Sequence, residues 1–307
     1  MDYTTLIDAP TWAFIKASED AYPPDAAKLS IAQQRAVYDA MCRSFHRGYP
    51  EGVTAEDRKI GGVPCRVFAG ATPPVLYLHG GGYVVGGLES HDDVCAELRA
   101  ATGLTVVCAD YRLSPEHLHP AALDDALAVA RALGTHGPIL LAGDSAGGNL
   151  AAAVSHVLRG ETAARILGQV LIYPGLGSDL DQGSCLTHAH APMLSRADVI
   201  FYAGIRHAGA APQADPTVSP LQDISFANLP PTVTFGAECD PLCDDAGAYA
   251  YAIRTAGGRA ISYTEQGLVH GYLRARHTVP RAAASFARIT TALSALATGD
   301  WPFGDSP

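Results

Sequence analysis

Long apolar runs are scarce in this chain of 307 residues. Residues 69–88, within the longest stretch that has no charged side chain, contain Pro73, Pro74 and a cluster of glycines. That composition excludes a lipid-facing helix. Positive charge is also in short supply, with 21 Lys and Arg against 31 Asp and Glu and a net charge of −10. An acidic surface without a basic cluster argues against nucleic acid as a partner and against stable membrane association. The N-terminus has no basic segment leading into an apolar core, and Asp2 and Asp8 fall where a signal peptide would tolerate neither, so none is expected. Cysteines number seven, an odd count, and lie mostly in apolar runs such as Thr105-Val106-Val107-Cys108-Ala109. That is the pattern of reduced core thiols, and it predicts a cytoplasmic protein. Repeats and low-complexity tracts are missing. What remains is a chain long enough for one large α/β domain with an appendage, or for two ordinary domains.

From about residue 60 the pattern becomes regular. Short, nearly all-apolar runs occur at residues 65–69, 75–78, 105–109, 139–142, 170–173, 232–236 and 260–263. Between most of them lie segments of helical character, including 121–133, 149–158 and 247–255. Strands apolar on both faces must be covered on both sides, which predicts a mainly parallel, doubly wound sheet of the α/β class. Two segments break the alternation. Residues 1–50 read as helices, one starting near Asp8 and Pro10. A second is announced by the Ser30…Gln33 capping pattern, with Val37, Met41 and Phe45 on one face. The other segment, about 175–220, is far longer than an ordinary connection. Both are expected to form a helical cap above the strand ends, leaving 51–307 as the catalytic domain with the second cap segment inserted. An independent N-terminal helical module is the alternative for residues 1–50.

The most informative segment is Gly143-Asp144-Ser145-Ala146-Gly147-Gly148, between the apolar run ending at Ala142 and the alanine-rich stretch that starts at Asn149. A serine at the apex of a strand–turn–helix junction is presented as an exposed hydroxyl at a helix N-terminus, with glycines clearing the space around it. A serine hydroxyl needs a base, and the base needs an orienting acid. His270, in Gly267-Leu268-Val269-His270-Gly271-Tyr272, follows a predicted strand and is the expected base. Asp240 in Glu238-Cys239-Asp240-Pro241-Leu242 is the expected acid, because Pro241 fixes the turn that aims it. Glu238 is the alternative. Backbone donors for a developing oxyanion are expected from Gly81, Gly82 and Ala146, the first two in His79-Gly80-Gly81-Gly82. That glycine run lacks both Gly-x-Gly-x-x-Gly spacing and the Gly-Lys-Ser/Thr of a P-loop, which disfavours a phosphate cradle.

Together with Asp110-Tyr111-Arg112-Leu113-Ser114-Pro115-Glu116-His117, these motifs resemble the hormone-sensitive lipase family of bacterial esterases (family IV) on the α/β-hydrolase fold. The resemblance covers about residues 60–275, and the helical N-terminus is similar to that family's cap. It implies Ser145 as nucleophile, His270 as base, Asp240 as its partner, and Gly81, Gly82 and Ala146 as oxyanion donors. It also implies hydrolysis of short- to medium-chain carboxylic esters through an acyl-enzyme, with no cofactor and no metal. Cys243 departs from the family, which often carries arginine there. The resulting Cys239-x-x-x-Cys243 pair reads either as a redox control or as two reduced thiols. Tyr111–His117 is expected to buttress the glycine loop, with Glu116 in a buried hydrogen bond. His117, His119, His188 and His190 read as surface histidines, since neither pair has a further ligand at metal spacing. Two other functions compete: an amide or formamide hydrolase resembling arylformamidases, and a small-molecule receptor on a hydrolase fold. The sequence is compatible with a homodimer and does not set the oligomeric state.

Overall fold

The apolar runs form one eight-stranded sheet, described by a computed structural model covering residues 1–23, 28–161, 164–209, 211–212 and 214–304. In chain order its strands are β1 (Ala55–Ile60), β2 (Val63–Phe68), β3 (Ala71–Leu78), β4 (Leu104–Ala109), β5 (Ile139–Asp144), β6 (Ile166–Ile172), β7 (Thr232–Cys239) and β8 (Ala260–Val269). Their spatial order is β1-β2-β4-β3-β5-β6-β7-β8. The β1–β2 and β2–β4 pairs are antiparallel and the rest are parallel. Alternation along each strand divides the core into two layers. Val75, Tyr77, Leu140 and Ala142 face the helices α3 (Asp92–Thr102) and α9 (Pro280–Thr298), joined by α1 (Ala9–Asp20). Leu76, Leu78, Ile139 and Leu141 face α4 (Ala121–Gly134), α5 (Ala146–Leu158) and α8 (Cys243–Thr255). The expected α/β, mainly parallel, doubly wound architecture is the one observed.

Two departures have plain causes. Strand β1, Ala-Glu-Asp-Arg-Lys-Ile, is exposed along nearly its whole length at the sheet edge, so it carries no hydrophobic signal. Charged side chains of this kind also protect an edge from pairing with other chains. Strand β8 runs six residues beyond the expected stop at 263, through polar Thr264, Glu265 and Gln266, and ends directly before His270. The N-terminal helices start where their caps place them. Asp8 accepts from the Thr11 N–H at 3.0 Å ahead of α1, and Ser30 and Gln33 close a reciprocal capping box on α2 (Ile31–Ser44). The segment between β6 and β7 contains α6 (Gly183–Thr187) and α7 (Arg196–His207). Its residues 210 and 213, like residues 24–27 of the N-terminal segment, lie outside the described residues.

Candidate active site

Parallel neighbours β3 and β5 place two turns side by side at their carboxyl ends. Leu78 pairs in register with Gly143, so the glycine loop and the serine turn leave the sheet together. Ser145 has φ 55° and ψ −120°, a sparsely populated backbone state of the sort kept at functional turns. The chain can pass so tightly because residue 147 lacks a side chain: a Cβ there would sit 1.9 Å from the Leu78 carbonyl oxygen. Gly81, at φ 123°, has a similar reason, since its Cβ would meet the Val85 carbonyl oxygen at 2.1 Å.

The structure brings three distant side chains into one line. His270 Nε2 lies 2.8 Å from Ser145 Oγ, and His270 Nδ1 lies 2.6 Å from Asp240 Oδ2. Asp240 is completely buried, and its other oxygen accepts from the Leu242 N–H at 2.9 Å. A carboxylate can only accept, so the imidazole proton sits on Nδ1 and Nε2 is free to accept from the serine hydroxyl. Glu238 lies apart from this line, with its Oε2 accepting from the Gly267 N–H at 2.6 Å. Among the described residues, the N–H groups of Gly81, Gly82 and Ala146 donate to no other backbone acceptor. Two cavities meet at Ser145, sharing Gly82, Leu194 and Tyr202 in their walls. The smaller, about 320 Å³, is lined by Ala146, Asn149, Val199, Val218 and Leu242. The larger, about 440 Å³, is lined by His270, Tyr173, Arg274 and by Tyr38 and Met41 of α2.

Residues the sequence did not single out hold this geometry. Asp144, next to the serine and buried, accepts from Tyr77 Oη at 2.8 Å and from the Gly80 N–H at 3.0 Å, with His91 Nε2 at 3.3 Å. Burial alone would raise its pKa, but the His91 imidazole, the Arg274 guanidinium and the Tyr77 hydroxyl hold it well below the usual carboxylate range. This carboxylate ties the glycine loop to the serine turn. The hint was its position inside the serine motif, but nothing in the sequence identifies Gly80 or His91 as its partners.

The neighbouring His79 is fully buried, stacked on Tyr111 at 4.2 Å, and its carbonyl accepts from Tyr111 Oη at 2.6 Å. Burial, reinforced by His91, drives its imidazole pKa down to about 3. The Tyr111 segment therefore does buttress the loop, but Glu116 corrects the expectation of a buried hydrogen bond. It is exposed and pairs with Arg35 of α2, whose guanidinium also donates to the Val84 carbonyl at 2.8 Å and the Ser114 carbonyl at 3.0 Å. A carboxylate there serves better outside, where water offsets its desolvation.

Two more corrections concern the histidines. His188 is buried beneath Tyr3, with the Tyr3 hydroxyl at 3.2 Å from its Nδ1, and His119 is half-buried against Thr217 and Arg206. His117 and His190 are exposed as expected. Among the described residues no cluster of three metal-binding side chains occurs. Cys239 and Cys243 are both free. Burial first, and nearby carboxylates second, push each thiol up to about 12, which leaves little reactive thiolate. Among the described residues no helix is long and apolar enough to cross a membrane.

Comparison with known proteins agrees with this architecture. The model of a family described by its alpha/beta hydrolase fold matches residues 75–274. Carboxylesterase NlhH of Mycobacterium tuberculosis is 35% identical over 260 residues, covering 78% of this chain and 81% of that relative. An ethyl acetate hydrolase of Pseudomonas putida is 35% identical over 229 residues, covering 71% and 72%. Among solved structures, a thermostable esterase from Pseudomonas putida ECU1011 superposes with a TM-score of 0.87 at 25% identity, covering 95% of this chain and 98% of its own. With the fold, the motifs and these relatives in agreement, the chain belongs to the hormone-sensitive lipase family of esterases on the α/β-hydrolase fold.

Proposed function

We propose that this carboxylic ester hydrolase works through Ser145, His270 and Asp240 and passes through an acyl-enzyme. The observation that carries the reading is the unbroken pair of contacts, Oγ to Nε2 at 2.8 Å and Nδ1 to Oδ2 at 2.6 Å. His270 takes the hydroxyl proton as Ser145 Oγ bonds to the acyl carbon, and the negative oxygen is received by the N–H groups of Gly81, Gly82 and Ala146. The tetrahedral adduct collapses, His270 gives its proton to the departing alkoxide, and the alcohol leaves. Water, deprotonated by the same imidazole, then releases the acid.

A leaving oxygen must lie beside the imidazole that protonates it. His270 lines the larger cavity, whereas Ala146 and Asn149 line the smaller. The alcohol portion therefore occupies the larger cavity, and a short- to medium-chain acyl group occupies the smaller, mostly apolar one. Residues 1–50 and the 175–220 segment act as the cap, since Tyr38, Met41, Val199 and Tyr202 wall these cavities. The free, largely buried cysteines support a reducing, cytoplasmic setting.

The test is Ser145→Ala, assayed with p-nitrophenyl esters from acetate to laurate and with a matched formamide. We expect a folded variant with turnover reduced by on the order of 10⁶-fold and, in the wild type, labelling of Ser145 by an organophosphonate. Retained turnover in the variant removes Ser145 from the role assigned to it.

A further inference from the structure

Arg274 is a cation placed where the departing alcohol must sit. It lies on the short helical turn Tyr272–Ala275, directly after His270, and lines the larger cavity. Its Nε donates to Cys42 Sγ at 3.0 Å, an Nη donates to the Tyr38 hydroxyl, and its guanidinium carbon stands 5.0 Å from the centre of the Tyr38 ring. The other end of the group lies against Gly271, where a Cβ would come within 3.0 Å of Nη1. Among the described residues no carboxylate forms an ion pair with it. Arg276, two positions on and more deeply buried, shows what a settled buried arginine looks like here: it pairs with Asp93 and, at 2.6 Å, with Glu97.

Among the described residues, the acids around this cavity form no ion pair with Arg274. Asp144 acts on the guanidinium through space, but its hydrogen bonds go to Tyr77, Gly80 and His91. Asp198 is held by the Ser195 cap, and both it and Glu19 stand exposed at the rim. In the smaller cavity the situation differs, because Arg206 lies 3.7 Å over the Tyr83 ring and Asp245 shares its wall. A half-buried guanidinium with neutral hydrogen-bond partners and no ion pair is incompletely compensated, and a planar carboxylate is the ligand its fork matches best.

We infer that the preferred substrates are esters whose alcohol portion carries a carboxylate, held by Arg274 in the larger cavity, so that the alcohol product is a hydroxy acid. The inference rests on the assignment of Ser145 and His270 given above. A carboxylate fits better than a phosphate dianion because, among the described residues lining that cavity, Arg274 is the one Lys or Arg side chain. The chain's net charge of −10 repels anions at a distance, so a preference for one must arise locally.

The experiment compares kcat/KM for the butanoyl ester of 3-hydroxypropanoate, its neutral carboxamide counterpart and its phosphate counterpart, in the wild type, Arg274→Gln and Arg274→Lys. We expect the carboxylate ester to exceed the carboxamide at least tenfold in the wild type. That ratio should fall at least tenfold in Arg274→Gln and be partly kept in Arg274→Lys. A wild-type ratio of one or less overturns the inference, as does a folded Arg274→Gln that keeps the wild-type ratio or a higher rate on the phosphate ester. Should neither variant fold, competitive inhibition of the wild type decides: 3-hydroxypropanoate must inhibit at least tenfold more tightly than its amide, and equal inhibition overturns the proposal. Failure to hydrolyse even the neutral ester, or turnover that survives Ser145→Ala, counts instead against the underlying mechanism.

Discussion

His79 ties the stability of the glycine loop to pH in a calculable way. It is completely enclosed, and its pKa stands at about 3, because burial and the neighbouring His91 both oppose a charge on it. In the unfolded chain the same imidazole titrates near about 6.5. Between those two values the unfolded state binds the extra proton, so this group's contribution is intact above about 6.5 and is lost as the pH falls toward 3. Linkage gives a loss of roughly 1 kcal/mol at pH 6 and about 2 kcal/mol at pH 5 from this residue alone. No discount for solvent screening applies to an enclosed ring. His79→Asn removes the titration while keeping an N–H that can reach the Gly80 carbonyl, which His79 Nδ1 contacts at 2.8 Å. The Nε2 it gives up has no hydrogen-bond partner among the described residues. Urea unfolding of both proteins at pH 7.5 and pH 5 is the assay. On acidification the wild type should lose about 2 kcal/mol more than the variant, whatever their absolute stabilities. A difference below about 0.5 kcal/mol would show that His79 accepts its proton in the folded state, and the reasoning would fail.

Asp240→Asn should leave the fold intact and lower kcat by about 10⁴-fold, because an amide favours the wrong imidazole tautomer. Glu238→Gln, tested by the same steady-state assay, should stay within about tenfold of the wild type, as among the described residues its side chain bonds only the Gly267 N–H. Gly147→Ala places a methyl carbon 1.9 Å from the Leu78 oxygen, and Tm measured by calorimetry should drop steeply or soluble protein be lost. A variant with wild-type Tm would mean that the serine turn is looser than described. Asp144→Asn keeps an acceptor for Tyr77 and Gly80 but removes the charge facing His91. Denaturant unfolding should register a loss of about 1.5–3 kcal/mol, and activity should fall with it as the glycine loop loses its anchor.

The sequence made some of this legible for identifiable reasons. Buried parallel strands are apolar on both faces, so β3 to β7 stood out, and strand-end loops had to converge, which narrowed twelve histidines to His270. Edge strand β1 was invisible because its side chains face water, and the last turns of β8 were obscured by Glu265 and Gln266. Pair partners were harder still. The engagement of Asp144 with Gly80 spans 64 residues, and that of Arg35 with Glu116 spans 81. Local pattern carries no record of such distances. Glu116 departs from its expectation for that reason: its motif position points to the interior, while its partner Arg35 sits on an N-terminal helix.

The hydroxyl of Ser145 and the imidazole proposed to activate it are separated by 125 positions in the chain. While the polypeptide is being synthesised, the serine turn therefore emerges from the ribosome long before any base exists to arm it. A chain cut short ahead of β8 lacks His270, so the proposed mechanism requires it to be chemically silent. On that mechanism hydrolysis begins only at maturity, and measured turnover doubles as a census of completed molecules.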